Sequence, residues 1–166
     1  LAKIKEQVPG HEFGMRGITK DGKHVRIEGW LLKGGKQVMP VESYYRYVIE
    51  GGKYEVMAGI KTKNGDLYKP VTKAIDIAKV GSTKLELLIP EPSSAKAVFM
   101  EQGEFKKVHG SIKALQHGTE VFHFRAKDKV YLNEGTYEFR TKPNADNDLS
   151  IHETFEAEDR KELIFH

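Results

Sequence analysis

Seven histidines are the residues of this chain best suited to chemistry. Imidazoles with an open coordination position suit zinc, copper or nickel. Five of the seven lie in the second half: His109, His117, His123, His152 and His166. A metal site built on strands calls for His-x-His, and that spacing does not occur. The histidines therefore read first as scattered surface side chains and only second as ligands. Residues 144–148, NADND, place oxygens at alternate positions through Asn144, Asp146 and Asp148, as a calcium loop begins. Such a loop needs glycine at its sixth place and glutamate at its twelfth, where Leu149 and Phe155 stand. A solvated turn is the simpler reading, and no metal or cofactor is expected.

Nucleophilic catalysis finds little support. There are no cysteines. The serines (Ser43, Ser82, Ser93, Ser94, Ser111, Ser150) lack a Gly-x-Ser-x-Gly elbow. No phosphate-binding Gly-x-x-x-x-Gly-Lys-Ser/Thr loop occurs. No carboxylate pair stands in an apolar setting of the kind that tunes an acid or base. The chain reads as a non-enzyme with no catalytic residue. Binding is the better prospect, through Trp30, Tyr44, Tyr45, Tyr47 and Tyr68. Exposed rings of this kind make sugar-stacking platforms or protein contacts. Tyr44 and Tyr45 are adjacent, so on a strand one points to the core and the other outward. The plainer alternative puts Trp30 and one tyrosine in the core.

The elements that carry these residues are strands. HVRIEGWLL (24–32), YYRYVI (44–49), KYEVMAGI (53–60), KAIDIAKV (73–80) and TKLELLI (83–89) alternate as half-buried strands do. Tyr54, Val56 and Ala58 share a face, as do Leu85, Leu87 and Ile89. Between the strands stand Asp21-Gly22, Gly34-Gly35, Gly51-Gly52, Asn64-Gly65 and Gly81-Ser82, which suit tight turns. PEPSSA (90–95) interrupts the pattern and reads as a linker between modules. The series then restarts with AKAVFM, KVHGSIKAL, EVFHFRA, KVYL, GTYEFRT, SIHETFEA and KELIFH. Only LAKIKEQV (1–8) suggests a helical turn or two, as the tail of a preceding domain.

The halves repeat. GGKYEVMAGI (51–60) returns as EGTYEFRTKP (134–143). Around that core HVRIEGWLL aligns with KVHGSIKAL, and YKPVTKAIDIAKVGSTKLELLI with LSIHETFEAEDRKELIF. In each copy glycine (Gly52, Gly135) lets the chain turn sharply, and the tyrosine two residues on (Tyr54, Tyr137) sends its ring inward with its hydroxyl at the rim. A tyrosine so placed is a fastening device of sandwich corners. The expected fold is all-β: two tandem small antiparallel β-sandwiches, Ig-like or prealbumin-like, with no major helix. The expected division is 1–15 as linker or tail, 16–90 as the first module and 91–166 as the second.

The run Leu132-Asn133-Glu134-Gly135-Thr136-Tyr137, followed by an alternating closing hairpin, resembles the prealbumin-like (transthyretin-like) modules of bacterial multidomain proteins, among them carboxypeptidase-regulatory-like and collagen-adhesin B-type repeats. The first half departs from the pattern with Lys53 in place of threonine and with KTKNGDLYKP (61–70) as a longer loop. The resemblance implies a fold rather than a reaction. The adhesin branch carries Lys–Asn crosslinks, but TKLELLI and KELIFH contain no asparagine, so none is expected.

Composition narrows the function classes. Residues 1–90 hold 16 Lys/Arg against 10 Asp/Glu, and residues 91–166 hold 11 against 14. No run of adjacent basic residues suggests nucleic-acid binding, and no apolar run is long enough for membrane insertion. A chain that begins with Leu1 reads as an excised piece of something longer or as a processed form. The expectation is a non-catalytic spacer, scaffold or docking and adhesion module of a larger bacterial surface or periplasmic protein. Its partners would be flanking domains of the same polypeptide, another protein or a polysaccharide. The alternatives are a carbohydrate-binding accessory module and a metal-binding domain using the second-half histidines.

Overall fold

The computed structural model describes residues 10–106, 110–144 and 147–166. The expected helical tail at 1–8 lies outside them. The described residues contain strands and turns but no helix. The chain divides into two compact units. One holds the residues up to Ile60 together with Lys69–Pro90, and the other holds Lys61–Tyr68 together with Glu91–His166.

The first unit is a two-sheet sandwich. Its first sheet centres on β1 (His11–Ile18), which pairs antiparallel with β2 (His24–Val25) and β5 (Tyr47–Ile49) and parallel with β8 (Gly81–Leu88). Its second sheet runs in the order β4 (Lys36–Glu42), β3 (Glu28–Lys33), β6 (Gly52–Lys61), β7 (Leu67–Ile77), apart from Lys61, Leu67 and Tyr68 at the β6–β7 tip, which belong to the second unit. Alternation sets the faces: Phe13, Met15, Leu31, Val41, Val56, Leu85 and Leu87 point inward and are buried. Each such side chain contributes about 1.5–3 kcal/mol relative to exposure. β3 and β6 approach closely at Gly29, where an added Cβ would lie 1.8 Å from the Met57 carbonyl oxygen. Only glycine fits there.

The second unit repeats this plan strand for strand. β9 (Ser93–Glu101) pairs antiparallel with β10 (Glu104–Lys106) and β13 (Val130–Leu132) and parallel with β16 (Arg160–Phe165). The other sheet runs β12 (Thr119–Arg125), β11 (Ser111–Gln116), β14 (Gly135–Asn144), β15 (Asn147–Phe155). Its core is aromatic. The Tyr137, Phe139 and Phe155 rings meet at centroid distances of 5.8–6.1 Å, and Phe99 stacks on Phe165 at 5.1 Å. These geometries add to area burial.

The glycine–tyrosine corners are equivalent. Gly52 and Gly135 open β6 and β14 with φ of 157° and 146°, in the region that favours glycine. Two residues later the Tyr54 hydroxyl donates to the Glu50 carbonyl and the Tyr137 hydroxyl to the Asn133 carbonyl, each at 2.8 Å and four residues back. The two tyrosines stand 83 positions apart, and so do the first residues of β5 and β13.

Several expectations change. The sandwiches are not wholly antiparallel, because each closing strand runs parallel to the first. That strand crosses over from the other sheet, so no hairpin turn dictates its direction. HVRIEGWLL is two strands, broken where buried Ile27 turns its backbone toward Ser43. YYRYVI is a strand only from Tyr47. KTKNGDLYKP is no long loop: the strands continue to Lys61 and from Leu67, around a turn in which Thr62 N–H donates to the Asp66 carbonyl at 3.0 Å. The linker is shorter than PEPSSA, since Ser93 and Ser94 are buried and open β9. β1 begins at His11, five residues ahead of the start expected at residue 16.

Candidate functional site

Of the five aromatic residues singled out in the sequence, only Tyr44 and Tyr45 come together. Trp30 lies half-buried on the outer face of the β4-β3-β6-β7 sheet, opposite Pro40 and Met57. It is not core, because Gly29 and Leu31 take the inward positions of β3. The half-buried Tyr47 uses its hydroxyl to accept the Glu42 N–H at 2.8 Å. Tyr68 is buried in the second unit, where its hydroxyl donates to Glu134 Oε1 at 2.9 Å. The expectation of one inward and one outward tyrosine also fails. Tyr44 is 74% exposed and Tyr45 57%. Tyr44 has φ of 71° and sits in the turn after β4, so strand alternation does not govern the pair.

The turn that carries them is held at both ends. On one side Ser43 is buried, and its Oγ accepts the Ile27 N–H at 2.9 Å. The Ser43 N–H donates to the Ile27 carbonyl, also at 2.9 Å. On the other side the Glu42–Tyr47 bond closes the loop. A loop pinned in this way presents its side chains with little ordering left to do on binding.

The two tyrosines line a groove of about 380 Å³ on the outer face of the first sheet. Its floor is Gly14, where an added Cβ would rest 3.6 Å from the Tyr45 carbonyl oxygen. Glycine is not required there by the backbone, and its missing side chain leaves the floor open. Arg16, Arg46, Lys84 and Glu12 flank it. Arg46 Nη1 donates to Glu12 Oε1 at 2.9 Å, and Arg16 Nε donates to Glu86 Oε2 at 2.7 Å. These exposed pairs contribute little to stability but set where the guanidinium groups sit. Three cations and one carboxylate line it, and two of the cations, Arg16 and Arg46, are each paired with a glutamate.

The second unit has the same loop position without the same residues. Ala126-Lys127-Asp128-Lys129 replaces Ser43-Tyr44-Tyr45-Arg46, directly ahead of β13 as the tyrosines are ahead of β5. The Ala126 N–H still donates to the Gly110 carbonyl, as Ser43 does to Ile27. The β1–β5 and β9–β13 registers set Gly14 opposite Lys96 in the comparison of units. The groove therefore belongs to the first unit.

No protein-family model matches the chain, and no curated protein matches it in sequence. Among solved structures it is similar to the Bacillus anthracis TIE protein, with 14% identity over 93% of this chain and 33% of that one, at a TM-score of 0.44. It is also similar to a leucine-rich repeat protein from Bacteroides thetaiotaomicron, with 11% identity over 93% of this chain and 25% of that one, at a TM-score of 0.30. The chain thus spans about a third and a quarter of the lengths of these two bacterial chains.

A second polar cluster, missed in the sequence, surrounds Tyr137. Asn64 Nδ2 donates to the Tyr137 hydroxyl at 3.1 Å, and the Asn133 N–H donates to Asn64 Oδ1 at 3.0 Å. Asn133 Nδ2 donates to Asp66 Oδ1 at 2.9 Å. That bond holds the Asp66 carboxyl below its ordinary value, and burial pushes the Tyr137 phenol above its own. All the groups belong to one compact unit, and the cluster reads as a fastening rather than a reaction centre. Asn64-Gly65 signalled a turn, but a turn signal does not name the partner of its side chain.

The remaining candidates stay dispersed. His123 is exposed, with Nδ1 3.9 Å from Glu120 Oε1. His117 sits in a turn with φ of 51°, and His152 and His166 are exposed on or after strands. Asp148 lies 3.7 Å from Lys142 Nζ. His109 and Asp146 lie outside the described residues. Among the described residues, no three of His, Asp and Glu gather as metal ligands would. His11, not singled out in the sequence, is buried and bonds Thr83 Oγ1 through Nε2 at 2.6 Å.

Proposed function

We propose that the chain is a non-catalytic tandem β-sandwich segment, of the prealbumin-like kind, that docks a larger bacterial surface or periplasmic protein to something outside it. The repeat supports the modular part of this reading. Two units share eight strands in the same order, the same parallel closing strand and the same glycine–tyrosine corner. Duplicated sandwiches of this kind extend a polypeptide and present surfaces. The observation that favours docking over plain spacing is the groove over Gly14. There the first unit exposes two adjacent tyrosines at a position where the second unit holds Lys127 and Asp128. The fold accommodates polar residues at that place, so folding does not call for the rings. Carbohydrate is the second reading, favoured by the same rings, because tyrosine faces stack on sugars as they do on protein surfaces.

The test replaces both units, in the host protein, by an unrelated pair of sandwiches of equal length. Loss of attachment or assembly supports docking, and full retention reduces the segment to a spacer. Turnover of any substrate by the isolated chain, abolished by one side-chain change, would overturn the non-catalytic reading.

A further inference from the structure

We propose that the groove over Gly14 binds a uronate-bearing polysaccharide. The inference rests on the docking reading and names its ligand class. Three features of the site select that chemistry together.

The first is the strained, exposed ring. A bulky residue at φ of 71° is a backbone outlier that glycine or asparagine would occupy more easily. Tyr44 nevertheless stands there, 74% exposed. Strain held at an exposed side chain, in a loop pinned on both sides, is characteristic of binding surfaces. The ring stacks on the apolar face of a pyranose, and Tyr45 beside it extends the platform.

The second is the floor. Gly14 carries no side chain where the second unit has Lys96, and the groove's volume of about 380 Å³ falls in the roughly 300–1,000 Å³ range of ligand clefts. The groove lies on an open sheet face, which suits an internal stretch of a chain ligand.

The third is charge. Arg16, Arg46 and Lys84 flank the rings. Each guanidinium spends one side on its glutamate and keeps further N–H donors, and guanidinium binds carboxylate in a planar fork. A neutral glycan would leave Lys84 and the remaining guanidinium donors without an anionic partner from the ligand. A phosphate polymer would use them and leave the rings idle. A uronate ring uses both, with its carboxylate on the cations and its ring face on the tyrosines.

The experiment is calorimetric titration of the whole chain with an oligogalacturonide, a neutral gluco-oligosaccharide of equal length and tripolyphosphate. Binding to the oligogalacturonide alone is expected, weakening with added salt. Tyr44→Gly and Lys84→Glu should each weaken it by at least about tenfold, the size of a central binding residue. Tyr44→Gly should at the same time keep or raise the thermal midpoint, because glycine relaxes the turn. Loss of binding with that variant is therefore not loss of fold. Equal binding of the neutral sugar or of tripolyphosphate overturns the proposal, as does uronate binding that Tyr44→Gly leaves intact. No binding of any of the three, in a segment whose replacement still cripples the host, overturns the uronate proposal and leaves docking standing.

Discussion

Removing one oxygen from each corner tyrosine should separate the two units energetically. In Tyr54→Phe the ring stays in the core and a single bond is lost, from the hydroxyl to the Glu50 carbonyl at 2.8 Å. A net hydrogen bond of this kind contributes about 1 kcal/mol. In Tyr137→Phe the hydroxyl loses two roles, donor to the Asn133 carbonyl at 2.8 Å and acceptor from Asn64 Nδ2 at 3.1 Å. Tyr137 is 1% exposed, so the groups left behind are poorly reached by water. Two lost bonds and a partly unsatisfied amide together predict about 2–3 kcal/mol. Asn64 also accepts the Asn133 N–H, so its displacement would loosen the Asn133–Asp66 bonds as well. Equilibrium urea unfolding reads the difference. The single Trp30 reports the first unit by fluorescence, and far-ultraviolet circular dichroism reports both. Tyr54→Phe should lower the midpoint of the fluorescence transition modestly, and Tyr137→Phe should shift the dichroism transition about twice as far in free energy. A Tyr137→Phe cost no greater than that of Tyr54→Phe would refute the claim that the Asn64–Asn133–Asp66 cluster strengthens the second corner.

Further outcomes follow from the same geometry. Gly29→Ala should destabilise the first unit by about 3 kcal/mol, because the new methyl meets the β6 backbone rather than a side chain that can move; the Trp30 fluorescence transition reads it. Phe139→Ala, at the centre of the second unit's ring cluster, should cost about 3–5 kcal/mol in the dichroism transition. Asp66 has a depressed folded value, so its stabilising contribution is present above its ordinary value of 3.8 and is lost as pH falls through the folded value; Asp66→Asn should blunt that acid loss. Tyr137 has a raised folded value, so its contribution is present below 10.0 and declines as pH rises above it; urea midpoints measured through the alkaline range should fall, and less so in Tyr137→Phe.

The parts of this fold that were legible in the sequence are those fixed by neighbours along the chain. Alternation identified most strands, and Gly-x-Tyr identified both corners, because a glycine turn and a tyrosine four residues past its acceptor are local geometry. The parallel pairing of β8 with β1 joins residues 70 positions apart, and no local pattern encodes it. Tyr44 was misplaced for a related reason. Its aromatic, β-forming run reads as strand, but Ser43 bonds to Ile27 across the sandwich edge, and that tertiary bond ends the strand early and bends the next residue to positive φ. The linker was overread because serine after proline looks like a loop, whereas Ser93 is fully buried and its hydroxyl bonds the Glu156 carbonyl.

Two copies of one architecture in one chain supply their own control. Where both units keep the same feature, the fold needs it: the glycine before the tyrosine, the hydroxyl-to-carbonyl corner, the backbone bond from residue 43 or 126 to residue 27 or 110. Where they differ at an equivalent place, the fold tolerates either choice, and another cause must account for the difference. Tyr44-Tyr45 against Lys127-Asp128 and Gly14 against Lys96 are differences of this second kind. The first unit's residues at these places, Gly14 on β1 and the two tyrosines in the turn after β4, line one groove. An open floor and two exposed rings meeting at one position separate what the first unit can present from what both units are.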